Sequence, residues 1–331
     1  MATPSKRPAA PRLRVEALED RSVPAFGGVG GISIAAGDLF TNVPGVEYAT
    51  GAGPGSPPTV RVFDTNGNLL SQFNAFDPSF TGGVNVAVGD MDGDGKLDIV
   101  CGAGAGGGPI ITVWHPEGIL LNSFYGFDPS FRGGLTVGVG DLKGNFKNEI
   151  VAGAGDTGGP MVAVFNLAGI RQTAFFAYEE GFRGGVNVAV GDVNGDGIDD
   201  IVTGVGNSGG PLVKAFTRTG QLEEAFYAFD PSFRGGVTVA VGNTDGRVGE
   251  NIFAAPSLGD PEIHAFSGFG VLQAAFNPFP PGFTNSVNMA VKDVNQDFFG
   301  DLIVVSGEGP TGQVPRIFFG AFNSVAGLNG P

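Results

Sequence analysis

One cysteine, Cys101, stands in 331 residues, so no intrachain disulfide framework can staple this chain. It occupies the place that other repeats give to Ala152, Thr203 and Ala254, which reads as a small buried residue. Histidine is almost as scarce, with only His115 and His264. No His-Glu-x-x-His, Gly-x-Ser-x-Gly or Cys–His arrangement occurs, and no enzymatic activity is expected. Charged residues make up 15% of the chain, with 33 acids against 18 bases and a formal charge of −15. Binding a phosphate backbone needs clustered Lys and Arg, so nucleic acid is not an expected partner. No run of about 18 apolar residues reads as a transmembrane segment. Stretches of helical period are nearly missing as well.

What the chain has instead is glycine, phenylalanine and a period. With 59 Gly, 29 Phe and 42% hydrophobic residues in regular runs, it reads as a packed all-β protein and not as a low-complexity chain. An acidic loop recurs with anchors at Asp38, Asp90, Asp141, Asp192, Asn243 and Asp293, at intervals of 52, 51, 51, 51 and 50 residues. Such constancy means one supersecondary unit per repeat. Each unit offers four short alternating or apolar runs bounded by turn residues, the pattern of strands. Without helices for parallel crossovers, four strands form an antiparallel meander. The expected fold is a six-bladed β-propeller of four-stranded antiparallel blades, about 51 residues per blade. Residues 1–11 read as a flexible segment and 12–331 as the propeller, with repeats from about 30. Residues 12–29 are expected to supply the strand that closes the ring, because the last unit runs out after its third strand.

The loop carries the chemistry. Its fullest copy is Asp90-Met91-Asp92-Gly93-Asp94-Gly95-Lys96-Leu97-Asp98. Oxygen side chains at positions 1, 3, 5 and 9, with the backbone carbonyl of position 7, converge on one point when the loop curls, as a hard cation such as Ca²⁺ requires. The candidate ligands are Asp90, Asp92, Asp94, Lys96 and Asp98 in blade two, and Asp192, Asn194, Asp196, Ile198 and Asp200 in blade four. Blade six offers Asp293, Asn295, Asp297 and Asp301, but Phe298 stands at position 6, where a positive φ favours glycine. Gly300 offers that turn another geometry. Two or three Ca²⁺ ions are therefore expected, and they explain much of the acidity. The other loops are broken. Phe40 takes position 3 in blade one; Lys143 and Asn145 take positions 3 and 5 in blade three; Asn243 and Arg247 take positions 1 and 5 in blade five. These cations act as built-in counter-ions, or the loops have drifted neutrally.

The run Phe182-Arg183-Gly184-Gly185-Val186-Asn187, continuing through Asp192-Val193-Asn194-Gly195-Asp196-Gly197 to Gly-Gly-Pro, resembles the FG-GAP/VCBS repeat of integrin-α-type propellers. The resemblance implies a calcium-stabilised propeller on a secreted or cell-surface protein, serving adhesion or ligand binding, with a glycan or surface protein as partner. The chain departs from the integrin pattern in having six units and degraded loops.

Two further features bear on function. The first strand of each unit carries a polar residue, Asn85, Asn187 and Asn288 in alternate blades and Ser33, Thr136 and Thr238 in the others. If that strand is innermost, these six ring a central channel, either holding a ligand or pairing between blades. On the face opposite the acidic loops lie Arg132, Arg183 and Arg234, suited to clamping a carboxylate or sulfate, or to pairing with Asp77, Asp128 and Asp230. A binding or adhesion module is thus the leading expectation, a structural surface-layer scaffold the alternative, and a glycan-active propeller enzyme the least favoured. Leu13 to Ala25 is similar to the Leu-Glu-x-Arg leader segments of certain bacterial surface proteins. A cleaved leader there would compete with the ring-closing role.

Overall fold

The computed structural model describes residues 33–279, 282–306 and 316–318. The flexible segment, the ring-closing strand and the leader segment expected before residue 30 lie outside them. Five sheets have four strands in simple sequential order, and a sixth has three. All pairings are antiparallel. The expectation of six complete blades is met by five blades and a partial sixth. The sixth shows three strands among the described residues.

The six first strands stand side by side in a ring: Ser33–Gly37, Val84–Gly89, Leu135–Gly140, Val186–Gly191, Val237–Gly242 and Val287–Lys292. Each touches the next, and the first touches both the second and the last. Ile34, Ala36, Val46 and Tyr48 of the first sheet share a core with Ile303 and Val305 of the sixth. The second strand of every blade is buried along its whole length. The apolar runs Ile99–Val100 and Ile201–Val202, with no polar alternation, are what a strand covered on both faces requires.

Phenylalanine joins the blades. The fourth strands of blades one to four each send a ring onto an aromatic of the next blade's third strand: Phe73 on Trp114 at 4.9 Å, Phe124 on Phe165 at 5.4 Å, Phe175 on Phe216 at 5.1 Å and Phe226 on Phe266 at 4.6 Å. Tilted contacts at these separations contribute beyond plain area burial. Between the third and fourth strands every complete blade carries a register shift, the mark of a β-bulge. Cys101 is fully buried, and burial pushes its thiol pKa up.

Candidate metal centres

Each acidic loop joins the first strand of a blade to its second. In blade two, one oxygen from each of Asp90, Asp92 and Asp98 lies within 4.8 Å of the others. This set of hard oxygen donors fits a divalent cation. The curl is held by the ligands themselves. Asp90 accepts the N–H groups of Gly93 (2.7 Å) and Gly95 (2.9 Å), and Asp98 accepts that of Met91 (2.9 Å). Gly95 sits at φ 84°, which a residue without Cβ adopts freely. Asp94 lies outside the three-carboxylate group; its Oδ1 takes the Lys96 N–H at 2.8 Å and its Oδ2 lies 3.9 Å from Lys96 Nζ. His115, at the end of the third strand, places Nδ1 2.9 Å from Asp98 Oδ1 and Nε2 3.9 Å from Asp92. Burial raises the Asp98 pKa, assisted by the Asp92 charge and opposed by the Met91 N–H and His115.

Blade four repeats the curl. Asp192 accepts from Gly195 (2.6 Å), Asp196 (3.1 Å) and Gly197 (2.8 Å), while Asn194 accepts from Asp196 (2.9 Å) and Asp196 from Ile198 (2.9 Å). Asp200 is 3% exposed, and its Oδ2 has no hydrogen-bond partner among the described residues. Burial, the neighbouring Glu223 carboxyl and the Asp196 charge push the Asp200 pKa up to about 8. In blade six, Asp293 accepts from Gln296 (2.7 Å), Asp297 (3.2 Å) and Phe298 (2.8 Å), Asn295 and Asp297 contact each other at 3.1 Å, and Asp301 accepts from Val294 (2.9 Å). The alternative turn through Gly300 is not used. Phe298 itself takes φ 73°, with its side chain 95% exposed.

The broken loops keep the same frame with different charges. Position 9 is buried in all six sheets, as Glu47, Asp98, Glu149, Asp200, Asn251 and Asp301. In blade three Lys143 Nζ lies 2.5 Å from Glu149 Oε1. In blade five the residue is neutral: Asn251 takes the Thr244 N–H at 3.0 Å and donates to Gln273 at 2.9 Å, while Arg247 sits 3.7 Å from Asp245. In blade one Glu47 Oε2 accepts from Leu39 (2.7 Å) and Phe40 (3.1 Å), and Oε1 has no partner among the described residues; burial raises its pKa. Glu47 escaped the sequence reading because its loop is one residue longer than the others.

The loops also bind one another. The N–H at position 8 donates to the position-1 carbonyl of the preceding blade: Asp199 to Asp141 (3.1 Å), Glu250 to Asp192 (2.8 Å) and Gly300 to Asn243 (2.6 Å). Beneath them runs a central channel of about 460 Å³, lined by Ser33, Asn85, Thr136, Asn187, Thr238 and Asn288. These side chains staple blades. Asn85 donates to Leu135 O (2.8 Å), Thr136 to Val186 O (2.8 Å) and Asn187 to Val237 O (2.7 Å).

On the opposite face, Arg132, Arg183 and Arg234 adopt one pose. Each Nη1 donates to two carbonyls of its own loop, Pro129 and Phe131, Glu180 and Phe182, Pro231 and Phe233. The expected alternative, pairing with Asp77, Asp128 and Asp230, does not occur among the described residues. Those carboxylates accept the hydroxyl and N–H of Ser79, Ser130 and Ser232, which hold their pKa values below the ordinary range. Phe176 and Arg183 meet at the Gly159 turn, and the equivalent fourth-strand ends carry Tyr125 and Tyr227; the three rings expose 42%, 54% and 59% of their surface.

No curated protein matches the chain. Among solved structures it is similar to the Bacillus licheniformis rhamnogalacturonan lyase PL11, at 16% identity and TM-score 0.46, over 88% of this chain and 60% of that one. The exotype rhamnogalacturonan lyase YesX gives 15% and 0.46, over 94% and 58%, and the V. cholerae biofilm matrix protein Bap1 gives 15% and 0.41, over 81% and 42%. The chain thus spans about three fifths of the lyases' length. At such scores these likenesses say nothing about activity. The FG-GAP repeat family matches residues 82–113 and 184–222, the stretches that hold the loops of blades two and four. This chain carries FG-GAP repeats set in a β-propeller of four-stranded antiparallel sheets.

Proposed function

We propose that the chain is a calcium-stabilised, extracellular binding module whose arginine face takes an acidic glycan. The observation that carries this reading is the set of three exposed guanidiniums in three consecutive blades. Each is pinned by its own loop carbonyls and has no carboxylate partner among the described residues. A pinned guanidinium keeps its remaining N–H groups free for bidentate contact and loses little entropy on binding. The exposed rings of Tyr125, Phe176 and Tyr227 offer apolar platforms beside them, as a sugar ring requires. The metal loops lie on the other face, so calcium acts here through stability and not through contact with ligand. Millimolar calcium outside the cell suits loops of this kind.

A catalytic reading has less support on this face. Asp128 and Asp230, in the loops of Arg132 and Arg234, are held ionised by serine hydrogen bonds and make poor general acids at neutral pH.

The test is binding of immobilised heparin and chondroitin sulfate, with neutral dextran as control, in calcium buffer. Wild type should bind the acidic chains and not dextran. The triple variant Arg132→Ala/Arg183→Ala/Arg234→Ala should lose that binding with its melting temperature unchanged. Equal binding by the variant, or none by wild type, would refute the arginine face.

A further inference from the structure

The bulge between the third and fourth strands of each blade leaves one residue of the outer strand unpaired. In blade four Ala215 pairs Glu224 and Phe216 pairs Leu222, so Glu223 is the residue left over. In blade five the corresponding residue is Gln273, between the pairs Ala265–Ala274 and Phe266–Leu272. A bulge re-aims a side chain, and in blade five its target is visible. Gln273 reaches the acidic loop, accepting from Asn251 Nδ2 at 2.9 Å and donating to Asp245 Oδ2 at 3.2 Å. The outer strand therefore has a fixed route into the loop of its own blade.

In blade four the residue on that route is an acid. Glu223 Oε1 lies 3.4 Å from Asn194 Nδ2 at loop position 3, and its carboxyl neighbours Asp200 at position 9. Asp200 is itself 97% buried by its 3% exposure, with Oδ2 unpartnered. A polar atom buried without a partner is costly, and two carboxyls brought together make it worse. A divalent cation between them removes both penalties.

We propose that Glu223 is a further cation ligand of the blade-four loop, donated by the outermost strand and lying outside the nine-residue motif. This rests on the reading of that loop as a metal site. Side-chain oxygens of Asp192, Asn194, Asp196 and Asp200 with the Ile198 carbonyl would supply at most five donors once drawn onto an ion, and Ca²⁺ takes six to eight. Glu223 supplies the next. Blade two has Leu121 at the bulge, packed in the apolar core, so it gains no such carboxylate. Blade four is then the tighter of the two sites.

The experiment uses the full chain with Asp92→Ala, which breaks the three-carboxylate group of blade two, and Asp297→Ala in blade six, with Tb³⁺ as the probe. Luminescence decay in H₂O and D₂O counts the waters on the bound ion. Glu223→Ala should add one or two waters and weaken Tb³⁺ binding by about tenfold or more. Glu223→Gln, which keeps one oxygen, should fall between. Glu223 is exposed at the rim, so both variants are expected to fold, with circular dichroism as the check. An unchanged water count with Tb³⁺ still bound would overturn the role of Glu223 alone, showing that its charge acts at a distance. A parent that binds no Tb³⁺ would overturn the metal reading of blade four and Glu223 with it.

Discussion

Lys143 Nζ lies 2.5 Å from Glu149 Oε1, inside the loop of blade three where blade two gathers Asp90, Asp92 and Asp98. A covalently attached cation sits where the proposed reading puts a diffusible one in blade two. Glu149 is buried, so Lys143→Ala strands its charge. Breaking a fully buried pair costs about 3–5 kcal/mol. Lys143 is 31% exposed, and solvent screening reduces the expected loss to about 1–3 kcal/mol by chemical denaturation. The reverse design, Lys143→Asp with Asn145→Asp and Phe146→Gly, should bind one more calcium ion by calorimetry than wild type.

Calcium itself should stabilise the wild-type chain. At Kd values of about 0.1–1 mM and about 1 mM Ca²⁺, each site adds roughly 0.4–1.4 kcal/mol. Blades two and four together should raise Tm by roughly 1–4 °C over chelated protein. Because loop position 8 of one blade bonds position 1 of the blade before, the melt should shift as one cooperative step. An identical melt with and without chelator would mean the loops are relics.

The fold was largely legible because a propeller repeats its local chemistry. The interval between acidic loops set the blade size, and the six polar residues expected in the channel if the first strand is innermost do line it. What stayed hidden depends on register and insertion. Glu223 becomes a loop-facing residue only through a bulge, and nothing in Leu222-Glu223-Glu224 announces which acid the bulge selects. Glu47 was masked by a longer loop. The serine caps on Asp77, Asp128 and Asp230 were legible as Asp-Pro-Ser, yet they were weighed as partners for arginine. Local hydrogen bonds formed within two residues win over pairing across loops, since they cost less ordering entropy.

Phe298 should be replaceable with profit to stability. A bulky residue in the left-handed region costs roughly 1–2 kcal/mol, and glycine there gives back about 0.5–1 kcal/mol through its looser unfolded chain. With the ring 95% exposed, little packing is lost. Phe298→Gly should therefore stabilise the chelated protein by about 0.5–1 kcal/mol. Val248 occupies the same loop position in blade five without a positive φ, so Val248→Gly should destabilise instead.

Glu250 gives the chelated protein a pH dependence of definite sign. It folds over Gly191 at the junction of blades four and five, where burial first, then the charges of Asp199 and Asp192, push its pKa up to about 7. An Asp192 N–H and the Lys292 charge pull the other way and lose. Asp199, raised by burial and by Asp141 and Asp192, shifts in the same direction. The folded state thus holds protons that the unfolded chain has released above its ordinary value of 4.5. Where the native state binds more protons, stability falls as pH rises. The share of the loss due to Glu250 should run from about pH 4.5 to about pH 7, on the order of 1–3 kcal/mol after screening, while Asp200, raised to about 8, extends the decline beyond it. Glu250→Gln removes its ionisation, so denaturation in EDTA should show a flatter profile over that window and a more stable protein at pH 8. A variant that kept the wild-type slope would place the proton uptake on Asp199 and its neighbours and not on Glu250.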